Sequence, residues 1–261
     1  MDIDPKLSIE TAKAVKDTFP ETVMQLDSAC STIIEWFSSF VLYPLKLTSV
    51  KYKYKLESFK NDLKRKTESI PEEKRHMPDI SLVGPTLEAL RYSFDVNEIR
   101  EMYVNLLASS IDKDKDSLVH PSYVDIIKRM NSVDAVVFHY LVQKYKTQYI
   151  PAVNPHITIP NTNKFFSGTL PDWYIGPVET LDIFTISASL VRLSKFGILD
   201  LLLDRTAGER GSNTLLQSDQ LLDILNQVQK QHPEYPNLQL KAMDSIVTVN
   251  EYGYMFSKTV F

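Results

Sequence analysis

SLVGPTLEALRYSFDVNEIREMYVNLLASSIDKDKDSLVHPSYVDIIKRMNSVDAVVF, residues 81–138, is a run of helix signals separated by short polar turns. Gly84-Pro85 predicts a helix start, with Pro85 in the first turn and Leu87 and Leu90 facing inward. Phe94 closes that helix. Asp95 and Glu98 have capping-box spacing, so a second helix is expected to open on the Asp95 side chain. Ile99, Met102, Tyr103, Leu106 and Leu107 then repeat at three and four residues, and the small Ala108 and Ser109 allow a neighbour to approach. Ser132 predicts another cap, ahead of Val133, Val136, Val137, Tyr140 and Leu141. The loop DKDKD, residues 112–116, lacks the glycine and distal glutamate of a calcium loop, so it is expected to be solvated. His120 stands before Pro121-Ser122, with Asp125 about one turn on. No nucleophile or metal ligand joins them at telling spacing, so His120 is expected to pack or to hydrogen-bond at the helix start.

The same texture extends outward. The chain has 261 residues, 43% hydrophobic and 24% charged, which suits an ordinary globular protein with a sizeable core. Only 7 glycines occur, and glycine is used chiefly in turns, so helices are favoured. The net charge of −4 argues against a dedicated nucleic-acid binder. The single Cys30 excludes an intrachain disulfide framework and fits a reducing, cytoplasmic location. The start MDIDPKLSIE is acidic and lacks the apolar core of a signal peptide, and no clean run long enough to span a membrane occurs.

Toward the N-terminus, Val23, Leu26, Cys30, Ile33, Ile34, Phe37 and Val41 form one apolar stripe. Trp36, Phe37, Phe40 and Tyr43 make the end of that helix apolar nearly all round. It reads as a buried helix, or as a helix docked on a partner or a membrane surface. Residues 46–75 follow with ten Lys/Arg against five Asp/Glu. Within them Lys51, Tyr52, Lys53, Tyr54 and Lys55 alternate cation and aromatic ring, and Lys64 and Arg65 add charge. Such a stretch can hold phosphate and stack bases, or lie beside anionic lipid. The same residues also describe the wet face of a long helix whose inner side is Leu56, Phe59, Leu63 and Ile70.

Beyond Tyr145 the texture changes. YIPAVNPHITIP mixes β-branched residues with prolines, and the following residues through Pro177 read as loop. Ile186, Leu190 and Leu193 keep helical spacing up to a Gly197 stop, and residues 198–203 form an apolar run of strand length. A helix at LLQSDQLLDILNQVQKQ and a strand at residues 246–249 complete the order, ahead of a last short helix. This order resembles a winged-helix module. In that plan residues 185–195 take the recognition-helix position, where only Arg192 and Lys195 are cations. Protein contact or a structural role therefore stands ahead of DNA contact.

Chemistry is sparse. No phosphate loop GxxxxGK[ST], GxSxG elbow, HExxH helix or CxxC pair occurs. His76, His120, His139, His156 and His232 are scattered without ligand spacing. No catalytic residue, metal site or cofactor is expected.

The composite of motifs in residues 81–138 resembles the Abi-alpha family, which is associated with bacterial abortive infection, a defence against phage. The resemblance implies a cellular role and brings no catalytic residue with it. The expected fold is mainly α: a helical domain over residues 1–130, with the family-like core 81–138 crossing the boundary, then a small winged-helix-like α+β domain over 131–261. The expected function is non-enzymatic defence in the cytoplasm through a protein partner, from host or phage. Two alternatives stand beside it. One is a membrane-active effector using the helix at 30–43 and the basic flank 46–66. The other is a nucleic-acid binder using the basic-aromatic stretch and the winged-helix-like module.

Overall fold

Leu56, Phe59 and Leu63 recur at three- and four-residue spacing, and in the structure they form the buried side of one helix, Ser49–Thr67. The structure is a computed structural model describing residues 28–42, 49–145, 149–205 and 211–261. The chain divides into two units, Met1–Ser132 with Lys258–Phe261, and Val133–Ser257. It is mainly helical, with one small antiparallel sheet.

In the first unit, α1 (Ser28–Trp36) continues as a π-helical turn over Phe37–Leu42. It is followed by α2 (Ser49–Thr67), α3 (Ile80–Ser93), α4 (Asn97–Ile111) and α5 (Ser122–Arg129). Helix α4 is the centre: Leu106 through Ile111 are all buried, and α2, α3 and α5 each pack on it. Phe37 stacks on Phe59 with centroids 4.2 Å apart, and the Phe94 ring centroid lies 5.8 Å from that of Phe37. Burial pushes the Tyr103 phenol of α4 well above the ordinary tyrosine pKa, helped by the negative charge of Asp125.

Two helix starts differ from the expectation. Helix α3 opens at Ile80, because the Asp79 side chain accepts the Ser81 N–H at 2.8 Å and Leu82 and Val83 extend the buried stripe backward. That hydrogen bond holds the Asp79 carboxyl below the usual aspartate range. Pro85 therefore sits inside the helix, where it lacks the N–H that Ser81 would otherwise accept. Asp95 does not cap α4. The N-cap position is Val96, which makes no side-chain bond, and Asp95 turns instead to Lys55. His120 does serve the start of α5: its Nδ1 lies 2.6 Å from Ser122 Oγ and accepts the Ser122 N–H at 3.2 Å.

The second unit follows α6 (Ser132–Tyr145) with β1 (Ile150–Thr158), β2 (Phe165–Phe166), α7 (Ile183–Lys195), β3 (Leu199–Leu203), α8 (Gly211–Leu216), α9 (Asp219–Gln231), β4 (Gln239–Val249) and α10 (Glu251–Val260), whose residues from Lys258 on belong to the first unit. The sheet order is β2-β1-β4-β3, all antiparallel. Strand β1 forms despite Pro151 and Pro155. On the side away from β4, Val153 exchanges two 2.9 Å hydrogen bonds with Tyr174. Residues 151 and 155 share that orientation, so their missing N–H groups remove nothing from the β4 ladder. Val153, Ile157, Tyr174, Leu221 and Val228 fill the core on one face of the sheet.

Glycine matters at two places here. Gly197 follows α7 with φ +81°, the left-handed angle that ends the helix and launches β3. At Gly253 in α10 a Cβ would lie 2.1 Å from the Ile198 carbonyl oxygen, so only glycine permits that approach. Asn250 fastens the same corner, accepting the Gly253 N–H at 2.9 Å and donating to the Gly197 carbonyl at 3.0 Å.

Candidate functional site

Helical geometry separates the residues of the basic-aromatic stretch. In α2, Lys53 and Tyr54 face outward, and Tyr54 is 70% exposed. Lys55 turns inward. Its Nζ lies 3.1 Å from Asp95 Oδ1 and 5.0 Å from the Phe94 ring centre. Lys64 is half-buried, and Arg65 donates to Asp62 one turn back at 3.1 Å. Lys51 and Tyr52 belong to α2, but their side chains lie outside the described residues. Of the aromatic candidates, Trp36 is half-buried and Phe37 is fully buried against Phe59, so Phe37 is core. The Phe40 side chain and Tyr43 lie outside the described residues. No helix among the described residues is long and apolar enough to cross a membrane.

In the second unit the polar groups of α7 turn inward. Asp134 of α6 is buried, with a side chain only 1% exposed. Arg192 grips it with Nε at 3.0 and 3.1 Å from the two carboxylate oxygens and Nη2 at 2.8 Å from Oδ1. The Ser189 hydroxyl donates to Oδ1 at 2.7 Å. Four donated bonds on one buried carboxylate are what its removal from water requires. Ser187 Oγ accepts the Trp173 N–H at 3.1 Å. Lys195 alone of the named α7 groups remains exposed.

A concave site lies elsewhere, in the first unit. A cleft of about 380 Å³ opens between the end of α2, α4 and the 3-10 turn Lys113–Lys115. Lys66, Lys74 and Lys115 reach it from three separate segments, and Ser109 and Asn105 of α4 supply hydrogen-bonding groups. Lys115 Nζ lies 3.2 Å from Ser109 Oγ. That hydroxyl gives its own proton to the Thr259 carbonyl at 3.1 Å, while Asn105 Nδ2 donates to the Val260 carbonyl at 2.8 Å. At the rim Lys74 bonds Asp114, whose carboxylate holds the lysine pKa above its ordinary value. Asp112 accepts the Asp114 N–H at 3.1 Å and so shapes the turn. Sequence reasoning missed this site because its lysines are dispersed. The DKDKD loop, read as solvated, proves to be one wall of it. No group of His, Cys, Asp and Glu among the described residues is arranged to hold a metal ion.

Comparison with known proteins gives one match. The family described as abortive infection alpha matches residues 51–260. That span takes in α2 through α10 and so both units. No curated protein and no solved structure matches the chain. With four-fifths of its length inside the match, the chain belongs to the abortive infection alpha family.

Proposed function

We propose that this protein is a non-enzymatic abortive-infection protein that protects bacteria from phage by contacting a protein partner in the cytoplasm. Family membership over residues 51–260 supports the defence role. The observation that carries the mode of action is the exchange of roles between charge and ring. Three of the cations singled out for binding meet carboxylates of the same chain, Lys55 with Asp95, Arg65 with Asp62 and Arg192 with Asp134, while Lys53 and Lys195 stand outward. Large side chains stand outward instead, with Tyr54 at 70% and Tyr92 at 75% exposure. Tyr54 precedes Lys55 and Tyr92 lies two residues before Phe94, so both rings flank the Lys55–Phe94 contact in sequence. Exposed tyrosines, amphipathic and low in entropy cost, are the usual currency of protein recognition.

In the second unit α7 leads into β3, and β3 pairs antiparallel with β4. This supports a winged-helix-like plan in which α8 and α9 are inserted between the two wing strands. With Arg192 engaged by Asp134, such a module suits a protein-facing role better than groove reading.

The test is a phage challenge of cells carrying the wild-type gene, a Tyr54→Glu/Tyr92→Glu variant, or no gene. Protection by the wild type and its loss in the correctly folded variant is expected. Equal plating efficiency with and without the gene removes the defence role. Full protection by the variant removes the tyrosine surface.

A further inference from the structure

We infer that the lysine cleft of the first unit is a binding site for a small molecule bearing a phosphate monoester. Its cations are the first ground. Lys115 has a hydroxyl for a partner, whereas Lys55 and Arg192 have carboxylates. Because Ser109 Oγ donates its proton to Thr259, Lys115 meets only a lone pair and keeps further N–H bonds for an incoming anion. Lys66 has its nearest carboxylate, Glu101, at 3.9 Å, beyond hydrogen-bond length. Lys74 is tied to Asp114, but both side chains are near half-exposed or more, so a dianion can displace that carboxylate at little cost. The remaining acid in the wall, Asp112, accepts the Asp114 N–H on Oδ1.

Shape is the second ground. The volume of about 380 Å³ is that of a small-molecule pocket. Its lining is mixed: beside the lysines, Ile70, Pro71 and Phe261 supply apolar surface for an organic body. Three ammonium groups around one space favour a doubly charged phosphate over a single carboxylate, since lysine acts as a point charge. The inference is independent of the tyrosine surface, which lies on other residues.

The experiment titrates the full chain with phenyl phosphate, inorganic phosphate and phenol, followed by calorimetry and by the amide signals of Ser109 and Lys115. Phenyl phosphate is expected to saturate with those amides shifting, inorganic phosphate to bind more weakly, and phenol not to bind. Lys115→Ala should weaken phenyl phosphate about tenfold, the loss of one charge-assisted contact. Lys115→Arg should stay within about threefold, and the α2 control Lys53→Ala should not change it. If Lys115→Ala fails to fold, Lys66→Ala carries the same tenfold expectation. Absence of saturation, phenol binding equal to phenyl phosphate, or unchanged affinity in a folded lysine variant overturns the site.

Discussion

Each unit contains a cation and a carboxylate in contact, and the two contacts are mirror images. In the first unit the cation is buried and the acid is wet: the Lys55 side chain is 9% exposed and that of Asp95 is 74%. In the second the acid is buried and the cation reaches out: Asp134 is 1% exposed and Arg192 is 38%. A lysine carries a long apolar stem that packs well, so burying it beside Phe94 needs only one partner at its tip. A carboxylate has no such stem, and Asp134 is held by a guanidinium and a hydroxyl together. The two contacts look alike as residue types and differ in which member depends on the other.

The largest effect is expected from breaking the second contact. Arg192→Ala leaves the Asp134 carboxylate buried without its guanidinium, and should destabilise the protein by about 3 kcal/mol in urea unfolding. Replacing both members, Asp134→Leu with Arg192→Met, should recover most of that loss. A double variant as unstable as the single one would show that the charge was not the cause. Breaking the first contact should cost less. Lys55→Met keeps the stem and frees Asp95 to water, so a change within about 1 kcal/mol is expected. A loss as large as that of Arg192→Ala would erase the asymmetry.

The smallest effects concern two buried phenols, one in each unit. Burial pushes both Tyr103 and Tyr174 above the ordinary tyrosine pKa, and Asp125 adds to the shift at Tyr103. The fold favours the neutral phenol. Its contribution is therefore full below the unfolded tyrosine pKa of about 10 and is lost as pH rises through the folded value. Unfolding midpoints measured at rising alkaline pH should fall for the wild type. They should fall less for Tyr103→Phe and, to a smaller extent, for Tyr174→Phe. An unchanged alkaline slope in Tyr103→Phe would remove that phenol as its source.

Helix identity was readable because the signal is local. Leu56, Phe59 and Leu63 declare α2, and Ile186, Leu190 and Leu193 declare α7, from spacing alone. Helix starts were less legible, since a capping residue has competitors. Asp95 is 40 residues from Lys55, yet that distant ammonium outweighs the local N–H groups. The mixed texture of residues 149–160 left β1 undeclared; it is a strand whose prolines share the outer orientation of Val153, away from β4. The family-like stretch mixes scaffold and site. Its Leu106 and Leu107 are core, while Asn105, Ser109 and Lys115 line the cleft. Completing that cleft needs Lys66 and Lys74 from outside the stretch, and only the folded chain brings them together.

The prolines of β1 have one more consequence. Strand β2 pairs only with Ile157 and Thr158, which leaves the outer side of β1 near Pro151 and Pro155 beyond its reach. A strand from another molecule arriving there would find two donors missing and the Val153 groups already taken by Tyr174. That margin of the sheet is therefore self-limiting. It gives no template for strand-on-strand aggregation, however concentrated the protein becomes.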